Sequence, residues 1–215
     1  MPRTLADVLD AFVLDAFSVA HRSHASVAGL AALLPTYAER VMDKELTALN
    51  RYIALSEKLI FLLGGNKPQE CLKMLTRFLE TKPNAVKTVL TGSILCQLFA
   101  KLFGYDLGKE NEEFLRKKKY LDFTEQVCVV VEKAGEKIAS TVDFAYAGIE
   151  NDRKEILLAD LPAPGLILDI GSKTIQNYCE TIRILDSATS VIVKGLIGVY
   201  EKPQFQHGTR KLYGL

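Results

Sequence analysis

Three predicted strands in this chain each end at glycine and lead into a helix-forming stretch, and this pattern limits the fold more than any other feature. The strands cover residues 59–63, 86–91 and 166–170, and they are followed by Gly64, Gly92 and Gly171. The first of them is five apolar residues stopped by glycine, which is typical of a parallel strand that is buried on both faces. Strands that alternate with helices at this spacing predict a doubly wound α/β fold with a mainly parallel sheet.

The spacing of apolar residues also predicts the remaining elements. Helices are expected at residues 35–56, 68–79, 94–103, 110–119, 123–134 and 174–185, and further strands at 12–17, 137–144 and 190–193. Proline suits the first turn of a helix, so the long first helix is expected to begin at Pro35. Residues 150–164 are polar and are expected to form a connection before the last strand–helix–strand unit.

Composition excludes several classes of protein. The 215 residues are 48% hydrophobic and carry a net charge of +1, which suits a globular core and offers no general surface for nucleic acid. No apolar run reaches the roughly 18 residues of a membrane span, and the first residues lack an apolar signal core. We therefore expect a cytoplasmic protein without membrane contact. The four cysteines, Cys71, Cys96, Cys128 and Cys179, are widely spaced, which favours reduced, buried thiols over a zinc site.

The turn after the first apolar run carries two glycines and a lysine, Gly64-Gly65-Asn66-Lys67. Glycines at the carboxyl end of a strand let phosphates approach the backbone, and a lysine would neutralise them. The alternative is a tight turn with a surface lysine. The spacing is not that of a Walker A loop, and no dinucleotide fingerprint is present.

Two further motifs leave alternatives open. The segment LILDIGSKT, residues 166–174, resembles the first motif of methyltransferases that bind adenosylmethionine, but it lacks their glycine-rich continuation. His21 and His24 could be read as a metal cluster, although their spacing does not favour one. Arg22 between them suits an anion clamp or an ordinary loop arginine. Glu201, after the loop glycines Gly195 and Gly198, could accept hydrogen bonds from a ribose or could simply be exposed.

Five blocks, in one order, resemble the phosphoglycerate kinases, and the middle of the chain resembles their archaeal branch. They are FVLDAFSVAHRSHAS, PTYAERVMDKELTAL, FLLGGNK, TVLTGSILCQLFAKLFGYDLG and the stretch from DIGSKT to HGT, at residues 12–26, 35–49, 61–67, 88–108 and 169–209. The blocks extend over nearly the whole chain. The resemblance implies a Rossmann-like nucleotide domain and a phosphotransferase of glycolysis and gluconeogenesis. Its reaction would move a phosphoryl group reversibly between 1,3-bisphosphoglycerate and ADP, with Mg²⁺ on the nucleotide.

The same resemblance assigns roles to individual residues. Arg22 and His21 would bind 3-phosphoglycerate, and Lys67 is the candidate catalytic residue. The nucleotide-binding residues would be Gly64, Gly65, Lys67, Gly195 and Glu201, with Glu201 on the ribose. No metal ligand is assigned to the protein itself.

The chain also departs from the family pattern. Family members carry most of a substrate domain before the first block and a glycine-rich turn after the last one. The resemblance therefore implies a central fragment: residues 1–35 from the substrate domain, 36–56 as an interdomain helix, and 57–215 as an incomplete nucleotide domain. Unusual residues stand at five positions within the blocks, Leu14, Glu39, Ser93, Lys194 and Leu196, and at Cys71 in the helix after the third block. We expect no turnover by these residues alone, and the alternative function is a nucleotide-binding or interaction module, a remnant or half of a split enzyme that needs a complementary chain.

Overall fold

The structure is a computed structural model, and it describes residues 2–55 and 57–215, with the side chains of 52–55 left out. The described residues form two compact units that divide between residues 55 and 56. Within the described residues, no helix combines the length and the apolar character needed to cross a membrane.

The first unit contains two short parallel strands and two helices. Its elements are α1 (Pro2–Ala6), β1 (Phe12–Leu14), β2 (Thr36–Ala38) and α2 (Arg40–Leu55). The prediction that the long helix begins at Pro35 is wrong, because Thr36–Ala38 form β2 and pair with β1. The helix begins later, where the Asp15 carboxylate accepts the backbone N–H of Met42 at 2.9 Å and so satisfies a free donor of the first turn. Ser56, the predicted end, lies outside the described residues.

The second unit carries the elements that surround the candidate site. They are β3 (Lys58–Leu63), α3 (Pro68–Thr81), β4 (Val86–Thr91), α4 (Ser93–Leu102), α5 (Lys109–Lys117), α6 (Thr124–Ala134), β5 (Asp143–Ala147), β6 (Arg153–Leu157), β7 (Ile167–Ile170), α7 (Ser172–Arg183), β8 (Thr189–Lys194) and α8 (His207–Tyr213). The α/β class is confirmed, and most boundaries agree with the sequence pattern to within two residues.

A three-stranded parallel sheet, in the order β4–β3–β8, forms the centre of this unit. Residues 59–63 of β3 are all buried, as their continuous apolar run predicted. Phe61 is fully buried, and its ring lies 5.1 Å from that of Phe78 on α3. Because the three strands are parallel, their carboxyl ends meet at one edge, where Gly64, Gly92 and Gly195 follow them.

The second sheet is antiparallel, in the order β6–β5–β7. The prediction that residues 166–170 form a strand of the parallel sheet is therefore wrong in its pairing, because β7 lies antiparallel to β5. The strand expected at residues 137–144 lies at Asp143–Ala147 instead, and the expected polar connection contains β6. Hydrophobic periodicity does not predict β6, because its first three residues are all charged and apolar and polar residues do not alternate. Arg153 on β6 forms an ion pair with Asp169 on β7 at 3.1 Å, which helps to hold the polar strand in place.

Candidate functional site

The turns that follow β3 and β8 pack backbone against backbone. The N–H of Gly64 donates to the carbonyl of Lys194 at 2.8 Å, and the N–H of Gly65 donates to that of Leu196 at 2.6 Å. A Cβ atom on Gly64 would lie 2.2 Å from the Leu196 oxygen. Gly65 and Gly195 have φ values of +83° and +72°, which glycine adopts without strain. Glycine is therefore required here, and we call Gly64, Gly65 and Gly195 the glycine edge.

Ser93 joins the start of α4 to the same edge. Its backbone N–H donates to the carbonyl of Ile197 at 2.8 Å, and its Oγ lies 2.9 Å from the carbonyl oxygens of both Leu196 and Ile197. Ser93 has a φ of 51°, an unfavourable conformation for a residue with a side chain. These hydrogen bonds help to offset that cost, so the serine fits a place where the family resemblance expects glycine.

A cleft of about 470 Å³ opens beside the glycine edge. Its wall is mostly apolar, with a few polar groups, which is typical of sites for small molecules. The residues that line it are Gly65, Asn66, Ser93, Ile94, Gln97, Phe114, Tyr120, Ile167, Leu168, Gly195, Leu196, Gly198, Val199 and Glu201.

Two lysines flank the glycine edge. Lys67 directly precedes α3, its side chain is 73% exposed, and its Nζ lies 3.8 Å from Oε1 of Glu70. Lys194, the last residue of β8, places its Nζ 2.9 Å from the other oxygen, Oε2, of the same Glu70. The two cations share one carboxylate and leave an excess positive charge at the start of a helix, where the dipole also favours anions.

Lys194 also acts on Cys71, the residue that stands where the family resemblance expects lysine. Burial raises the pKa of the Cys71 thiol, and the positive charge of Lys194 opposes that increase. An ammonium group is therefore close to Cys71, although it is supplied by β8 and not by α3.

The cleft lining also contains an exposed carboxylate and two aromatic rings. Glu201 is exposed, and its carboxylate has no hydrogen bond or ion pair within residues 2–55 and 57–215. The Tyr120 hydroxyl donates to the carbonyl of Asn66 at 3.1 Å, and burial raises the pKa of Tyr120. The ring of Phe114 lies 6.1 Å from that of Tyr120. The cleft thus offers apolar faces and the acceptor oxygens of Glu201.

The predicted site residues fall into two groups. Gly64, Gly65, Gly195 and Glu201 lie in or beside the cleft, and Lys67 is next to Asn66 in its wall. Arg22 and His21 belong to the first unit, in a loop where both side chains are exposed.

Sequence reasoning did not identify Gln97, Phe114 and Tyr120 as part of the site. The position of Gln97 could have been inferred from the sequence, because Gln97 is four residues after Ser93 and residues at that spacing share one face of a helix. Phe114 lies on α5, whose charged sequence suggested a surface helix only. No feature of the sequence near Tyr120 indicated that it belongs to the site, since only the tertiary structure brings it to the turn after β3.

A larger cavity, of about 660 Å³, lies behind β4 and α4. Among the described residues that line it, none carries a charge at neutral pH, so it does not suit a phosphorylated ligand. The described part of the chain also contains no group of three or more His, Cys, Asp or Glu side chains placed to hold a metal ion.

Three comparisons with known proteins point to one family. The family model described as phosphoglycerate kinase matches residues 1–214. The chain is 35% identical to the phosphoglycerate kinase of Methanopyrus kandleri over 96% of this chain and 50% of that protein, and 36% identical to that of Archaeoglobus fulgidus over 99% and 51%. A crystal structure of the phosphoglycerate kinase from Pyrococcus horikoshii matches with a TM-score of 0.79 and 32% identity, over 98% of this chain and 52% of that one. The chain spans about half the length of the curated relatives it matches.

Proposed function

Because the chain belongs to the phosphoglycerate kinase family, we propose that its second unit binds the nucleotide of the family reaction. In that reaction a phosphoryl group passes reversibly between 1,3-bisphosphoglycerate and ADP, which gives 3-phosphoglycerate and ATP. The observation that carries the proposal is the glycine edge beside a mostly apolar cleft of about 470 Å³, with Lys67 and Lys194 next to that edge in sequence. A nucleotide likewise combines anionic phosphates with an apolar base.

The phosphates are assigned to the glycine edge. Gly64, Gly65 and Gly195 let the two turns pack closely beside the start of α3, which offers a positive dipole end to a phosphate. Lys67 is the candidate catalytic cation, since phosphoryl transfer depends on positioning and on neutralising charge that develops on the phosphoryl oxygens. Lys194 is a second candidate cation, because it shares Glu70 with Lys67.

The sugar and the base are assigned to the rest of the cleft. Glu201 is exposed at the cleft and has no partner in the described chain, so its carboxylate can accept hydrogen bonds from the ribose hydroxyls. The base then lies against the apolar wall that includes Ile94, Phe114 and Val199. Aromatic and aliphatic side chains of this kind bury a flat ring favourably.

Mg²⁺ would enter with the nucleotide. Glu201 is the single carboxylate among the described residues that line the cleft, so the protein offers few ligands of its own. Magnesium commonly takes most of its ligands from phosphates and water, and the residues present fit that mode of binding. The ion would neutralise phosphate charge, while the lysines and glycines of this chain hold the phosphates in place.

The acid substrate is assigned to the first unit. Arg22 carries a guanidinium that matches a phosphate or carboxylate in two hydrogen bonds, and His21 adjoins it. We propose that residues 1–35 belong to the substrate domain, residues 36–56 to the interdomain segment, and residues 57–215 to the nucleotide domain. A polypeptide restricted to these 215 residues is expected to bind ADP and to need a complementary chain for turnover, since it spans about half of its relatives.

Calorimetric titration with ADP in the presence of Mg²⁺ tests this proposal. Lys67→Met and Lys194→Met should each weaken binding about tenfold or more, because each removes a charge-assisted contact to phosphate. Lys73→Met is the matched control, since Lys73 is an exposed lysine of α3 that does not line the cleft. Equal effects of all three substitutions, or no ADP binding by the unaltered chain, would contradict the phosphate assignment.

The ribose assignment has its own test. The unaltered chain should bind ADP more tightly than 2′,3′-dideoxy-ADP, because only ADP can donate to Glu201. Glu201→Gln should reduce this difference, since a neutral amide is a weaker acceptor than a carboxylate. A difference that persists unchanged in Glu201→Gln would refute the role of Glu201.

A further inference from the structure

Arg153 on β6 is a nearly buried cation to which the proposed nucleotide site gives no role. Its side chain is 10% exposed, and its guanidinium donates to Oδ2 of Asp169 at 3.1 Å and to Oε1 of Glu155 at 2.9 Å. It also donates to the backbone carbonyls of Ile170 at 3.0 Å and of Gln204 at 3.5 Å. One side chain therefore joins β6, β7 and the segment that contains Gln204.

The carboxylate that pairs with this arginine is fully buried. The side chain of Asp169 is 0% exposed, and its Oδ2 also accepts the backbone N–H of Gly208 at 3.0 Å. Burial raises the pKa of the Asp169 carboxyl, and the contacts from Gly208 and Arg153 oppose that increase. A buried ion pair loses the hydration of both charges, so it adds little net stability compared with apolar side chains of similar size. Its directional contacts instead fix the relative positions of the elements that they join.

The segment that Arg153 reaches also contains Glu201, and we call residues 199–206 the Glu201 segment. It folds as consecutive turns, because the N–H of Lys202 donates to the carbonyl of Val199 at 3.1 Å and the N–H of Phe205 donates to that of Lys202 at 2.9 Å. The Glu201 carboxylate has no hydrogen bond or ion pair of its own within the described residues. Its position is therefore set by the backbone of the segment.

Strand β6 and the turn before it hold the Glu201 segment. Besides its contact with the carbonyl of Gln204, Arg153 places its Cζ 6.0 Å from the centre of the buried Phe205 ring. In the turn, the side-chain oxygen of Asn151 accepts Nζ of Lys202 at 3.0 Å. The backbone carbonyl of Asn151 accepts Nε2 of Gln204 at 2.7 Å. The second half of the segment is therefore fixed to β6, and Arg153 is the buried part of that connection.

We propose that Arg153 is a positioning residue that, through Asp169 and the Gln204 carbonyl, holds the Glu201 segment where the Glu201 carboxylate meets the ribose of a bound nucleotide. This inference rests on the proposed nucleotide site and adds the residue that positions its ribose acceptor. Arg153 is not one of the described residues that line the cleft, so it acts on the nucleotide only through the segment. An arginine suits this role because its planar guanidinium donates in several fixed directions.

Calorimetric titration of the unaltered chain and of Arg153→Met with ADP and with 2′,3′-dideoxy-ADP, in the presence of Mg²⁺, tests the inference. The unaltered chain should bind ADP about tenfold more tightly, which is the contribution of hydrogen bonds from the ribose to a carboxylate. In Arg153→Met this preference should fall to about twofold, through weaker binding of ADP. The affinity for the dideoxy nucleotide should change by less than about twofold. A general loss of structure would instead weaken the binding of both nucleotides alike.

Two further variants separate positioning from stability. Arg153→Met leaves the buried Asp169 carboxylate without its counter-ion, and Arg153→Met combined with Asp169→Asn removes that charge as well. The double variant should show the same loss of preference. Asp143→Ala removes buried hydrogen bonds at the start of α7, away from the Glu201 segment, and should keep the full preference. Circular dichroism checks that each variant folds.

Each contrary outcome has one reading. A full preference for ADP in either folded Arg153 variant, or an equal loss of affinity for both nucleotides, would overturn this inference and leave the nucleotide site and Glu201 standing. Failure of both Arg153 variants to fold would assign Arg153 to stability and overturn the inference. Equal affinity of the unaltered chain for the two nucleotides would overturn the role of Glu201 and this inference with it. Binding of neither nucleotide would overturn the nucleotide site as well.

Discussion

Gly64→Ala should be among the most damaging single-methyl additions in the second unit. The new Cβ would lie 2.2 Å from the carbonyl oxygen of Leu196 and 2.8 Å from its carbon, and normal contacts are more than 3 Å. The two turns would have to separate by about 1 Å. That movement would weaken the hydrogen bonds from Gly64 to Lys194 and from Gly65 to Leu196, now 2.8 and 2.6 Å long. Each such loss at a buried backbone group costs about 1–3 kcal/mol, so we expect the free energy of unfolding to fall by about 2–5 kcal/mol.

Urea unfolding at 25 °C measures this change, and circular dichroism is the suitable signal because the chain has no tryptophan. Gly104→Ala is the matched control, since a Cβ there would meet nothing within 4 Å and only the φ of +90° is unfavourable. The Gly104→Ala substitution should lower the free energy of unfolding by about 1 kcal/mol. ADP affinity should also fall in Gly64→Ala, because the same separation distorts the glycine edge. If Gly64→Ala destabilises no more than Gly104→Ala, the close packing of the two turns is not what requires glycine.

Three further predictions concern residues outside the cleft. Asp143→Ala should lower the free energy of unfolding by about 2–4 kcal/mol. The reason is that the Asp143 carboxylate accepts the backbone N–H groups of Lys173 and Thr174, at 2.9 and 2.8 Å, at the start of α7. Urea unfolding measures this loss of stability, and a loss below about 0.5 kcal/mol would contradict the prediction. Ellman's reagent at pH 8 should first modify one thiol per folded chain, that of Cys128, because Cys128 is half-buried and the other three cysteines are buried. All four thiols should react after unfolding. Prompt reaction of a second thiol in the folded chain would contradict the prediction. Burial raises the pKa of the Cys96 thiol above its value in the unfolded chain. The unfolded state therefore loses this proton at a lower pH than the folded state does, and the free energy of unfolding should decline as pH rises past the pKa of a free thiol. Urea unfolding measured from pH 7 to 10 should show that decline.

The central strands of the second unit could be predicted from sequence alone. Residues 59–63 are continuously apolar, and such a run predicts a strand buried on both faces whatever its partners are. The predicted strand at residues 86–91 coincides with β4, and the predicted helix at 174–185 overlaps α7 with a two-residue shift at each end. These elements depend on side chains that are close in sequence and on the turn residues that follow them.

Elements that depend on distant partners could not be predicted in this way. The segment at Thr36–Ala38 has no strong strand signal and forms β2 only because it pairs with β1. The strand at Arg153–Leu157 is polar, and its pairing with β5 and the ion pair to Asp169 hold it in place. In both cases the stabilising contact comes from residues that the local pattern does not include.

In the candidate site, too, some residues could be predicted from the local sequence and others depend on distant partners. The residue types at Gly64, Gly65 and Lys67 indicated a phosphate-binding turn from the sequence, and Glu201 was an open alternative beside it. Only the tertiary structure brings Lys194 to Glu70, Tyr120 to Asn66, and the Gln97 amide to Ile167. The sequence by itself determined where the turns and buried strands lie, because apolar runs and glycines act over a few residues. The tertiary structure decided which side chains share the cleft, because those contacts join residues 54 to 124 positions apart and depend on packing of the whole unit.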